Sequence, residues 1–226
     1  MVTRKKKATP AARAASTRRS PRLGQPLSRE RIVEGALDLI GEQGLASFST
    51  RKLGERLGCE AMSIYHHFHS KHHLLDALVE HAIGSVSVPE PGPNPEKSLR
   101  EALDSYRAMS RRWPALFMLV ATHRLNMPAG VRFIESLLRL TQAIEPNIER
   151  AARLFRALGY YMVGACLDET AGYARGPSAA EPVSDEFVMR ECPTLVAAAP
   201  FFKEEHWNGT FDYGIEALVD RTPARK

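Results

Sequence analysis

Gly58, Cys59 and Glu60 separate two stretches of helical pattern, each only about two turns long. Ser49 or Thr50 starts the first, Leu53 and Leu57 recur four apart, and Gly58 ends it. The second carries Ile64 and Phe68 on its inward face. A longer helix precedes the pair: Ser28 caps it, Glu30 stands in its first turn, and Gly44 closes it. Ile32, Ala36, Leu37, Leu39 and Ile40 recur along it at helical spacing, and the loop LASF follows. Two short helices across a tight glycine-bearing turn, braced by a third, make a helix-turn-helix.

The third helix of such a unit is the one that enters a DNA groove. Counting 100° per residue from Ile64 and Phe68, its outer face shows Met62 and His66, flanked by Ser63 and Tyr65. A fourth helix follows the cap Ser70, with Leu74, Leu75, Leu78 and Val79 on one side. Five of the eight histidines lie between His66 and His73. Only His69 with His73, or His72 with Asp76, has ligand-like spacing, and a helix boundary splits the first pair. No cysteine or carboxylate cluster completes a metal shell nearby. The imidazoles read better as compact polar groups that donate to phosphate, and neither a metal nor a cofactor is expected.

Charge is unevenly placed. Residues 1–27 hold eight Lys and Arg and no acid, whereas the other 23 Lys and Arg stand against 26 acids, so the arm carries the whole net +5. A segment of that composition folds poorly alone and is expected to be a mobile cationic arm that displaces counterions from DNA. Three distant cysteines (Cys59, Cys166, Cys192) give no disulfide framework and point to a reducing cytoplasm. Apolar runs such as PALFMLVA are too short to cross a bilayer, and RKKK is followed by ATPAARAAS, unlike a secretory signal. Phosphate loops, dinucleotide glycine fingerprints, nucleophile elbows and H-E-x-x-H are all missing from the sequence, so an enzyme is not expected.

The run from Arg31 to Leu78, above all STRKLGERLGCEAMSIYHHFHSKHHLLDAL, resembles the DNA-binding domain of the TetR (tetracycline-repressor) family of bacterial regulators. The resemblance implies that Tyr65, His67 and Lys71 contact phosphates. It also implies that Thr50 and Arg51 approach the duplex at the start of the second helix, and that Ala61, Met62 and Ser63 form the turn nearest the bases. Ala61 and Met62 can only touch a thymine methyl, which leaves Ser63 and Arg51 as hydrogen-bond donors to bases.

VPEPGPNPEK breaks helicity and marks the passage into a second region. From there only helical patterns occur, over 96–112, 114–123, 128–145, 149–173, short pieces within 184–199, and 206–221. ERAARLFRALGYYMVGACLDETAGYA is apolar on more than one face, and Ala152, Gly159 and Gly164 permit close helix approach. Phe211, Ile215 and Leu218 recur on the last helix, with Trp207 a turn earlier. In the TetR family two late helices from each subunit form a four-helix interface, so Ala152, Gly159, Phe211, Ile215 and Leu218 are expected to meet a second copy. An intramolecular core explains the same pattern. Trp113, Phe117, His123, Phe155, Met162 and Glu169 are the candidates for an apolar effector site, His123 and Glu169 being its polar anchors. A buried, internally bonded role is the alternative for those two.

The sequence therefore predicts an all-α chain with three parts: a basic arm (1–27), a three-helix helix-turn-helix DNA-binding domain (28–85), and a larger helical ligand-binding and dimerisation domain (96–226). The expected function is a cytoplasmic, homodimeric repressor of double-stranded operator DNA, released by a small-molecule effector and independent of membranes. Two rivals are a metal-responsive sensor using the histidines and a nonspecific architectural DNA protein dominated by the arm.

Overall fold

The computed structural model describes residues 26–171 and 179–219. Every regular element among them is helical. The expected arm falls outside the described residues except for Pro26 and Leu27, as do the last two residues of the helix expected over 149–173 and the last two of that expected over 206–221. The eleven α-helices among the described residues are α1 Arg29–Gln43, α2 Thr50–Leu57, α3 Ala61–His67, α4 Lys71–Gly84, α5 Pro95–Arg112, α6 Pro114–Thr122, α7 Pro128–Ile144, α8 Ile148–Ala171, α9 Asp185–Glu191, α10 Pro193–Ala198 and α11 Trp207–Val219.

Local chemistry sets the ends of the first four. The hydroxyls of Ser28, Ser49 and Ser70 accept from the backbone N–H groups of Arg31, Lys52 and His73 at 3.2 to 3.3 Å. Gly44 closes α1 by donating to the Ile40 carbonyl at 2.8 Å. Gly58 closes α2 at φ 70°, a left-handed conformation that suits a residue without Cβ. LASF is not an open loop: Leu45–Ser47 forms a 3₁₀ turn, and Phe48 beyond it is 3 % exposed. Its ring belongs to the core, which overrides the polar look of its neighbours.

Ile32, Ala36, Leu53, Ile64, Leu74 and Leu78 are each fully buried and join α1 to α4 in one apolar cluster. The turn between α2 and α3 lies so close on α2 that a Cβ at Gly54 would stand 2.7 Å from the Cys59 carbonyl oxygen and 3.2 Å from the Ala61 nitrogen. Both neighbours are backbone and cannot swing away. Gly54→Ala should therefore destabilise the head: overpacking costs about 1–3 kcal/mol, offset by about 1 kcal/mol of helix propensity. Denaturant melting should show a lower midpoint, and an unchanged or higher one would contradict this packing.

The proline-rich passage after α4 is a link in the chain but not a gap in the core. α6 packs on α1 and α4 on one side and on α5 and α8 on the other, while α4 also touches α7. α7 and α8 pack against each other and against α5, and α11 lies along α8. Met109, Leu116, Phe117, Leu140, Leu158 and Cys166 continue the same apolar cluster through this second region. α9 and α10 contribute no buried residue.

Candidate functional site

Three turns of helix meet at the exposed side of the head. α3 buries Ile64 (0 %) and Phe68 (1 %) while Met62 stands 64 % exposed, so its outer face is open as the 100° count requires. His66 is exposed beside Met62, and Ala61, Ser63, Tyr65 and His67 are partly exposed at its flanks. Thr50 begins α2 directly across from α3, its hydroxyl 3.1 Å from that of Tyr65. That bond fixes the register of the two helices and leaves each oxygen further hydrogen-bonding capacity. Lys71, at the first position of α4, donates to the Phe48 carbonyl at 3.0 Å and lies 5.5 Å from the centre of the Phe48 ring. Its ammonium is thereby held beside α2 with further donors to spare. Arg51 is exposed and pairs with Glu55 at 3.1 Å, a screened bond that exchanges readily.

The sequence reading missed two cations here. Arg29 stacks 4.2 Å over the Phe68 ring and donates to the His67 carbonyl, so it stands at the C-terminal end of α3. Lys52 donates to Gln43 and to the Ser47 carbonyl at 3.1 and 3.0 Å. Neither position is marked by periodicity. Further back, Glu42 holds the Arg56 guanidinium at 2.7 Å and raises its already high pKa.

The histidines do not converge. His69 and His73 meet edge to face at 5.7 Å, and Nδ1 of His73 is 2.8 Å from the Ser70 hydroxyl. Among the described residues no three of His, Cys, Asp and Glu are placed to hold one metal ion.

A cavity of about 280 Å³ lies between α5, α7 and α8 and the end of α6. His123, Phe155 and Met162 line it, as expected. Trp113, Phe117 and Glu169 do not. Trp113 turns to His81 of α4 at 5.6 Å, and Phe117 is fully buried edge-on to Tyr106 at 5.9 Å. Glu169 accepts from Nε of Arg107 with both carboxylate oxygens at 3.0 Å and from Arg111 at 2.9 Å. It is thus a structural ion pair, the internally bonded alternative. The sequence reading did not single out Tyr106 and Thr141, which line the cavity. Burial pushes the Tyr106 phenol well above its ordinary range and the Cys166 thiol behind it up to about 11.

The residues expected to meet a second copy divide. Phe211 and Ile215 are 2 % exposed inside their own chain, the Phe211 ring lying 4.1 Å under Arg107. Both are core of the protomer. Their periodicity marks burial, which one chain suffices to explain. Leu218 is partly buried against the same cluster. Ala152 and Gly159 lie on a stretch of α8 where Tyr160 is 67 % exposed, and on α11 Tyr213 is 76 % exposed. Gly214 brings the two helices together: a Cβ there would clash with the Tyr161 ring, and the Tyr161 hydroxyl donates to the carbonyls of Thr210 and Phe211.

The family model described as bacterial regulatory proteins, tetR family, matches residues 32–78. A second, the tetracyclin repressor-like C-terminal domain, matches residues 89–220. The chain is 29 % identical over 207 residues to the class A tetracycline repressor protein from transposon 1721 of Escherichia coli, covering 86 % of this chain and 90 % of that one. It shares the fold of the Streptomyces coelicolor TetR family protein ActR in complex with actinorhodin: TM-score 0.71, 24 % identity, 87 % and 96 % of the two chains. It likewise shares the fold of BioQ with its double-stranded DNA operator, at TM-score 0.61 and 16 % identity over 87 % of this chain and all of that one.

Proposed function

The chain belongs to the tetR family of bacterial regulatory proteins, a family of DNA-binding transcription regulators, and we propose that it acts as a homodimeric repressor released from operator DNA by a small molecule. The observation that carries this is the open outer face of α3, with Met62 64 % exposed over a fully buried Ile64. Residues 28–85 serve as the DNA-binding domain and residues 96–226 as the effector-binding and dimerisation domain. Thr50, Arg51, Ala61, Met62, Ser63, Tyr65, His66, His67 and Lys71 form the DNA surface. Lys71, Tyr65 and His67 take phosphates, and Ser63 and Arg51 read base edges.

ActR was solved with actinorhodin, and the cavity between α5, α7 and α8 is this chain's counterpart for an effector. His123, Phe155 and Met162 contact it there. The exposed stripe of α8 and α11, with Ala152, Gly159, Tyr160 and Tyr213, faces a second copy. No helix among the described residues is long and apolar enough to cross a membrane, which suits action in the cytoplasm. Binding and release, not catalysis, is the activity.

Selection of bound duplexes from a random pool tests this directly. Two reading heads in one dimer should recover a near-palindromic consensus with half-sites about 34–36 Å apart. An asymmetric consensus would remove the dimer, and none at all the regulator. The basic arm should add only salt-sensitive, sequence-independent affinity, so deletion of residues 1–25 should leave the consensus unchanged.

A further inference from the structure

The geometry points to an aromatic carboxylate of one or two rings as the ligand of the cavity, its anionic group replacing Asp76 as the acceptor at His123. This inference rests on the effector reading above and names the class of that effector. Three observations carry it.

The lining holds donors and no acid. Tyr106, His123, Thr141 and Arg156 are its polar side chains, and no Asp or Glu accompanies them. The Thr141 hydroxyl spends its proton on the Leu138 carbonyl, so Tyr106, His123 and Arg156 are the donors among the lining side chains. A site that desolvates donors selects a ligand that accepts.

The remaining walls are flat and apolar, and the room is small. Tyr106 and Phe133 lie within 15° of parallel at 5.9 Å, with Phe155 also lining the space. Its volume of about 280 Å³ lies at the lower limit of ligand pockets, which suits one or two fused rings.

His123 joins this wall to the reading head. Its Nε2 is 2.9 Å from an Asp76 carboxylate oxygen on α4, and its Nδ1 is 3.1 Å from the Arg124 carbonyl. Both partners can only accept, so the two bonds form together when the ring carries both protons. The His123 side chain is 20 % exposed but that of Asp76 is 52 % exposed. A half-solvated acceptor is exchanged easily for one arriving from the cavity side. Capture of His123 by a ligand carboxylate would cut its tie to α4, two residues before the Leu78 that packs in the head.

The test is calorimetric titration of the full chain with 1-naphthoate and its uncharged isostere 1-naphthamide. Naphthoate should bind about tenfold or more tightly than the amide, the worth of a charge-assisted hydrogen bond. Tyr106→Phe and His123→Phe should each weaken naphthoate more than the amide and so narrow the gap between the two ligands. Asp76→Ala should tighten naphthoate severalfold, because a competitor is gone; a merely structural Asp76 would instead weaken both ligands or neither. Equal affinity for acid and amide, no binding of either, or an unchanged or reduced naphthoate affinity in Asp76→Ala would overturn the inference. Operator affinity of the ligand-free chain, measured on the same samples, reports on the regulator reading alone.

Discussion

Glu169→Ala is expected to lower the unfolding free energy by about 3–5 kcal/mol, the cost of stranding one member of a buried ion pair. The side chains of Arg107 and Glu169 are only 9 % and 6 % exposed, and two further bonds at 3.0 Å fix their relative geometry. The guanidinium lies 4.1 Å over the Phe211 ring of α11, so without the carboxylate a desolvated cation would remain against that ring. Arg111, 43 % exposed, has water as an alternative partner and adds little. For a chain of this size the loss corresponds to a fall in Tm of roughly 10 °C at fixed protein concentration. The double substitution Arg107→Met with Glu169→Leu should recover most of it, because exchanging a whole buried pair for apolar side chains is close to neutral. If Glu169 were instead an effector anchor, Glu169→Ala would leave Tm alone and change only ligand response. Differential scanning calorimetry of the three proteins separates the two roles.

That pair also marks where sequence reasoning reached and where it stopped. Ser28, Ser49, Ser70 and Gly58 act within a few residues of themselves, so the ends of α1, α2 and α4 are written locally and appear where the pattern puts them. The outer face of α3 follows by rotation from two buried side chains, again a local deduction. Arg107 was within reach, since it continues the buried row Leu99, Leu103 at spacing four on α5, where a cation demands a buried anion. Which anion was not legible, because 62 residues separate Arg107 from Glu169 and no spacing links them. Trp113 and Phe117 failed as cavity residues for a related reason: an apolar stripe announces burial, and whether its neighbour is empty space or another ring depends on packing between helices. Phe211 and Ile215 repeat the point on α11, where the same periodicity serves a protomer core or an interface. Gly54 and Gly214 were silent because a close backbone approach depends on the partner, Cys59 in one case and Tyr161 in the other.

Lys71→Ala should weaken operator binding about tenfold or more at physiological salt and, with two copies in a dimer, reduce the slope of log affinity against log salt by about 2. The slope distinguishes two jobs the side chain performs. Nζ bonds the Phe48 carbonyl and lies over the Phe48 ring, so the substitution also loosens the passage into α2. A contact of that kind, on an exposed side chain, contributes about 1 kcal/mol and has no reason to change how many counterions the duplex releases. A phosphate contact changes both affinity and slope, and it does so equally on operator and unrelated DNA, because phosphates carry no sequence. Tyr65→Phe offers the contrast: it removes a neutral hydroxyl bonded to Thr50 at 3.1 Å, so affinity should fall with the slope unaltered. Should Lys71→Ala lower affinity at constant slope, the lysine is only a brace for Phe48 and the duplex runs elsewhere. Should affinity not change at all, the first turn of α4 lies outside the interface, and the docking of α3 in the groove would have to be redrawn around Arg29, which stands against the C-terminal end of that helix.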